Sequence, residues 1–397
     1  MSETLTSTQK VLSKKYLLYQ LFTNLWFVSA VWLYFYRIFI TDQQIGIMDA
    51  MAFAIGLLAE IPSGALADKF GRGRMVKIGQ FLAGSGLFLQ AFADGFLIIF
   101  IGQTIMMVGV AFVSGADEAL FFDKLRFKKD SVHWKKLVTR GGQIALVGTL
   151  VATICGGLSH ELNPRLPWVL TGTSFVFSIA FIWSMKDERT QSLETSLRDE
   201  LFSYIKNIID GCKEFRAPQL ALYVPIIIAL QGLFYANGYG LLRIILLDRF
   251  TFTPFWGSVA VATSSLITIG LLGLMHTHAE KLREKTVFIV VALTAVAALL
   301  LSLANIGLWG YVVILVLYAG ERLLYPSISE SINNNSSEDR RATVLSIASF
   351  LKTLPYVLLA PLIGFLNTKD QLEYFLIGWS ILILLLLVLY MRLKSRT

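Results

Sequence analysis

The chain has 397 residues, of which 55% are hydrophobic and only 16% charged, and its mean hydropathy is +0.64. Soluble domains carry about 25% charged residues, so a soluble globular protein of this length is excluded and the apolar excess must face lipid. The net charge of +8 follows from loop topology, as shown below, and requires no nucleic-acid partner.

Residues 1–15 are polar and basic. They are not expected to form a signal peptide, because the apolar run behind them is too long for an h-region. A bilayer-spanning helix needs about 20 apolar residues. Twelve such runs occur, at 16–36, 44–66, 76–93, 96–122, 140–160, 166–185, 218–247, 254–276, 286–304, 308–331, 341–366 and 371–392. None alternates with the period of two that a membrane barrel requires, so the expected fold is an all-α membrane protein of twelve transmembrane helices. Cys155 and Cys212 give no disulfide framework, and His276 and His278, two apart, lie on different helix faces. No metal site and no cofactor are expected.

Lys and Arg set the orientation. Loops on one side carry 28 of them, whereas the other side has only Arg37, Arg165, Arg249 and Lys369. Both termini are therefore expected in the cytoplasm, with the chain in a cytoplasmic (inner) membrane. The longest loop divides the sequence into residues 1–185, a linker at 186–217, and residues 218–397. Within the linker, Leu197, Leu201, Ile205, Ile208, Cys212 and Phe215 recur at helical spacing. That pattern suggests an amphipathic helix lying on the inner membrane face or, alternatively, binding a partner.

The halves repeat one another weakly. Ala67-Asp68-Lys69-Phe70 after span 2 matches Ala279-Glu280-Lys281-Leu282 after span 8, and the Asp117-Glu118 region of span 4 matches the Glu321-Arg322 region of span 10. The loop after span 2 reads Gly64-Ala65-Leu66-Ala67-Asp68-Lys69-Phe70-Gly71-Arg72-Gly73-Arg74. It resembles the major facilitator loop signature, with Gly73 the one departure. Ser114-Gly115-Ala116-Asp117-Glu118-Ala119-Leu120 also resembles a poorly characterised prokaryotic branch of that superfamily. The resemblance implies two pseudo-symmetric six-helix bundles with a substrate between them. It further implies an inner-face latch of Gly64, Asp68, Gly71, Arg72 and Asp123. Unaided, Gly64 suits close helix approach and Arg72 suits pairing with Asp123. Drug/proton antiporters carry a glycine-proline motif in span 5. Here it reads Gly148-x-x-x-Ala152-Thr153-x-x-Gly156-Gly157, without the proline.

Ionisable residues inside spans are functional candidates by default. These are Glu60, Asp117, Glu118, Glu321, Arg322 and Lys352, with Arg243 near the outer end of span 7. Lys352 is expected to pair with Glu321. Arg322 could instead meet Glu60, Asp117 or Glu118. The resemblance turns span 10 to the cavity, which makes Glu321 the prime substrate or proton site, with Glu118 its repeat partner. Two facing carboxylates repel, so one should hold a proton that a cationic substrate would displace. If Lys352 occupies Glu321, the proton falls to Glu118. Asn24 and Trp26 in span 1, and Tyr235 and Asn237 beside Gly238 and Gly240 in span 7, complete the candidates. The glycines permit a break in the helix.

No G-x-x-x-x-G-K-[ST] loop, H-E-x-x-H motif or nucleophilic serine motif is present, so neither an ATP-driven pump nor an enzyme is expected. The expected function is alternating-access transport of a small organic solute by a monomer, coupled to protons or another ion, with efflux leading and nutrient uptake the alternative. A non-transporting sensor or scaffold on the same fold is the rival of another class.

Overall fold

The computed structural model describes residues 6–125, 131–185, 223–277, 284–335 and 341–394, together with a few isolated positions between 202 and 221. The amphipathic segment 197–215 lies largely outside the described residues. Among the described residues every regular element is helical, and the chain contacts resolve two units. One comprises residues 1–35 and 51–202, the other residues 36–50 and 203–397. The stretch 36–50, placed by sequence with the first half, thus packs with the second.

In the first unit α1 (Ser7–Thr23) begins nine residues before the predicted span, because Thr6 and Gln9 form a reciprocal capping box. The predicted first span is not one helix. Residues 24–31 are turns, and helix resumes only at α2 (Trp32–Tyr36). Next come α3 (Asp42–Phe70), α4 (Arg72–Ala91), α5 (Phe96–Val113), α6 (Ala116–Leu125), α7 (Ser131–Leu162) and α8 (Leu166–Ile182). Lipid offers no hydrophobic drive for helix association, so close backbone approach must hold these helices together. A Cβ on Gly86 would fall 2.5 Å from the Gly102 carbonyl, and one on Gly109 would fall 2.6 Å from that of Gly79. Antiparallel α4 and α5 therefore share a glycine seam. Predicted span 4 breaks between α5 and α6, where Gly115 adopts φ +74°, a conformation costly to any residue with a Cβ.

The degraded span-5 motif packs against the turns of span 1. A Cβ on Gly156 would collide with the Phe27 carbonyl. The Thr149 hydroxyl donates to the Asn24 carbonyl at 3.1 Å, and the hydroxyls of Ser29 and Thr153 lie 3.0 Å apart. Small and hydroxyl-bearing residues on α7 thus supply the polar contacts that an irregular segment needs at membrane depth.

The second unit contains α9 (Tyr223–Gly238), α10 (Leu241–Arg249), α11 (Pro254–Thr277), α12 (Glu284–Leu301), α13 (Gly310–Asn335), α14 (Arg341–Thr368) and α15 (Leu372–Lys394). One π-helical turn at Ile227–Gln231 widens α9, and Trp379 Nε1 donates to the Ala229 carbonyl within it at 3.0 Å. α9 and α10 meet at a 66° bend, where the glycines at 238 and 240 suggest one. The start of α3 also lies in this unit, antiparallel to α14. Cβ atoms on Gly46 and Gly364 would collide with the carbonyls of Ala360 and Asp42 respectively, and Asp49 meets Tyr356.

Candidate functional site

Glu321 lies near the middle of the 26-residue α13, roughly 16 Å from either end at the helical rise of about 1.5 Å per residue. It is 7% exposed. Lys352, from α14, places Nζ 3.8 Å from Glu321 Oε1. That is an ion pair, but a loose one, longer than the 2.7–2.9 Å of a charge-assisted hydrogen bond. The same Nζ lies 5.7 Å from the ring centre of Tyr235 and 6.0 Å from that of Tyr325, within cation–π range of both. The other Glu321 oxygen faces Gly238, where a Cβ would come within 3.2 Å. A glycine at the end of α9 therefore lets the carboxylate sit against the helix break.

Around this pair the rings of Tyr235 and Tyr239 lie 5.0 Å apart, and Tyr235 and Tyr356 lie 5.8 Å apart. Arg322 donates to the Tyr239 hydroxyl. Asn237 is fully buried, and neither its Nδ2 nor its Oδ1 finds a hydrogen-bond partner among the described residues. Buried amides are ordinarily satisfied, so this one marks a place for a polar guest. Arg322 is exposed, as are Tyr239 and Tyr325. A guanidinium at the centre of a membrane helix is not exposed to lipid, so this face of α13 borders a polar, water-accessible space.

The sequence missed Asp49. It is 2% exposed and accepts a hydrogen bond from the Tyr356 hydroxyl, whose oxygen accepts in turn from the Leu241 N–H at 3.3 Å. An isolated Asp within an apolar run of span 2 was the available signal. Seven residues earlier on the same helix, Asp42 accepts two bonds from Arg37, from Nε and Nη2, both at 2.7 Å. Arg37 Nη1 reaches Asp248 at 2.9 Å, and Asn367 also donates to Asp42. Burial alone would lower the Arg37 pKa, but hydrogen bonding and the charges of Asp42 and Asp248 outweigh it and hold the guanidinium above its ordinary value.

In the first unit Arg72 and Asp123 form an ion pair at 2.8 Å, and both are well exposed. Gly71, at φ 97°, starts α4. The Asp68 side chain lies outside the described residues. Gly64 departs from its expected role. A Cβ there would meet nothing within 4 Å among the described residues, so no close helix approach depends on it.

Asp117 and Glu118 are not mid-helix charges. They form the first turn of α6 after the Gly115 break, where the helix dipole favours acids, and the Asp117 carboxylate accepts the Glu118 N–H at 2.7 Å. Asp117 also bonds the buried Tyr19 hydroxyl, which accepts from Gln80 Nε2 at 2.9 Å. Glu60 and Glu118 are exposed. Asn24 caps α1 and gives its Nδ2 to the Gln20 carbonyl at 2.8 Å. Trp26 Nε1 donates to the Thr23 carbonyl at 3.1 Å, with its ring edge-on to Phe175. The polar atoms of Asn24 and Trp26 thus support the irregular end of α1.

Residues 16–360 match the Major Facilitator Superfamily. An uncharacterised MFS-type transporter of Bacillus subtilis (strain 168), YxaM, is 23% identical over 363 residues, covering 87% of this chain and 86% of its own. Among solved structures, the nucleoside transporter NupG superposes with a TM-score of 0.77 at 12% identity, covering 98% of this chain and 99% of its own. A D-xylose–proton symporter gives 0.68 at 13% identity, covering 97% of each chain.

Proposed function

We propose that this chain, which belongs to the major facilitator superfamily, is a secondary carrier that moves a small organic solute across the cytoplasmic membrane by alternating access, coupled to protons and working as an exporter. The observation that carries this reading is the loose Lys352–Glu321 pair at mid-membrane, beside a broken helix and a polar face that lipid cannot cover. A purely structural ion pair would gain from tight geometry and full enclosure. This one is open to exchange with a ligand.

In this reading Lys352, Glu321, Arg322, Tyr235 and Asn237 form the solute site. Lys352 occupies Glu321, so the coupling proton rides on Glu118, and Asp117 and Glu60 contribute negative charge. Asn24 and Trp26 shape span 1 at its irregular turn. Arg72 and Asp123, with Gly71 and Asp68, latch the inner face. The chain acts as a monomer with both termini cytoplasmic. Proteoliposomes loaded with a pH dye test the coupling: adding a transported solute should move protons across the membrane. Solute flux that is indifferent to an imposed pH gradient of either sign would remove the proton from the scheme.

A further inference from the structure

We infer that the transported solute is an organic anion, held through its carboxylate or phosphate oxygens by the Lys352 ammonium and the Arg322 guanidinium. The inference rests on the carrier reading above and reverses the sign expected from the carboxylates alone.

Charge balance carries it. The ionisable side chains deep in the spans of the second unit are Asp49, Arg243, Glu321, Arg322 and Lys352; Glu330 lies in the last two turns of α13. Asp49 belongs to the α3–α14 seam, where Tyr356 donates to it. That leaves Glu321 among three cations. Lys352 faces it from α14 at 3.8 Å, Arg322 follows it on α13, and Arg243 on α10 is within its electrostatic reach. Its other neighbours are tyrosines or backbone: Tyr235 and Tyr239 on α9 and beyond its end, Tyr318 on α13, and Gly238. One carboxylate cannot balance three cations at this depth, where charge is weakly screened. A cationic solute would enter against net repulsion, whereas an anion completes the balance.

Geometry points the same way. The 3.8 Å Lys352–Glu321 separation leaves the ammonium free to exchange one carboxylate for another. Arg322 is exposed on the polar face and offers a planar fork of donors that matches carboxylate or phosphate oxygens. The exposed Tyr239 ring, tilted beside Tyr235, supplies an apolar wall for the organic body. Glu321 is then the internal competitor that holds Lys352 when the carrier is empty.

Thermal unfolding of the purified full-length protein, with three sets of small molecules, tests this. The anions are benzoate, citrate and uridine monophosphate; the cations are choline and spermidine; the neutral compounds are xylose and uridine. At least one anion should raise the unfolding midpoint, and the carboxylate and phosphate arms say which oxygen chemistry is preferred. Lys352→Gln and Arg322→Gln should each weaken that response about tenfold or more in ligand concentration. Lys352→Arg and Arg322→Lys, which keep the charge, should restore part of it. Glu321→Gln should strengthen it several-fold, because the competitor is gone. Responses confined to cations or neutral compounds, no response to any anion, or an anion response unchanged in both glutamine variants would overturn the inference. An anion response without solute flux in proteoliposomes would instead leave the inference standing and sink the carrier reading.

Discussion

Asp49 and Tyr356 show how one hydroxyl can join three helices. The phenol donates to the α3 carboxylate, accepts the first N–H of α10, and is itself carried on α14. A hydrogen bond to a charged group is worth about 1.5–3 kcal/mol, which is roughly a 10- to 100-fold change in any equilibrium that breaks it. Tyr356→Phe keeps the ring against Gly240 and removes only these bonds. It should therefore shift the conformational equilibrium and slow transport without unfolding the protein. Solute flux together with the thermal midpoint checks this, and wild-type flux in Tyr356→Phe would count against it. Sequence reading could not find this residue. A tyrosine in an apolar run is common, and only the tertiary register reveals the Asp49 opposite it. The Lys352–Glu321 pair was legible, because an ionisable residue at mid-span demands a partner and consecutive spans offer the nearest one. The charge surplus around it was not, because Arg243, near the outer end of its span, gives no sign in sequence that it lies within reach of Glu321.

Helix breaks are the informative features at the scale of elements. The bend at the α9–α10 junction was legible in two glycines flanking Tyr239. The turns at 24–31 were not, since Asn24 to Val31 contains no Gly or Pro. What holds those turns is the small-residue face of α7, a tertiary effect. Gly240 permits the junction to approach α14. A Cβ there would fall 2.2 Å from the Tyr356 ring, and backbone on one side with a packed aromatic on the other leaves little room to yield. Gly240→Val should lower the unfolding midpoint and reduce flux more than Gly270→Val on α11, where a Cβ meets nothing within 4 Å among the described residues. Equal effects at the two positions would mean that the junction does not need its glycine. The exposed Arg72–Asp123 pair belongs to a different regime. Surface pairs contribute about 0–1 kcal/mol to stability, so Asp123→Asn should leave the midpoint nearly unchanged while altering the balance of inward- and outward-open states. Cysteine accessibility on the two faces reads that balance directly. An unfolding midpoint lowered as far as by a core substitution would show that the pair is structural.

For the molecule as a whole, the apolar runs and the 28-to-4 distribution of Lys and Arg carry most of the sequence-level reading. They are legible because the bilayer imposes length and charge rules on each span independently. Packing partners obey no such one-dimensional rule, which is why the grouping of residues 36–50 with the second unit emerged only in three dimensions. The proposed topology places Ser2 and Ser192 in the cytoplasm. Cysteines at these positions should resist impermeant thiol reagents in intact cells, and labelling without permeabilisation would invert the assignment. The central claim is that the mid-membrane site binds solute at Lys352 while Glu118 carries the proton. Its most direct test is solute flux into proteoliposomes over a pH series, for the wild type, Lys352→Gln and Glu118→Gln. Lys352→Gln should lose flux at every pH, and Glu118→Gln should retain flux but lose its pH dependence. Wild-type rates and an unchanged pH profile in both variants would contradict the account.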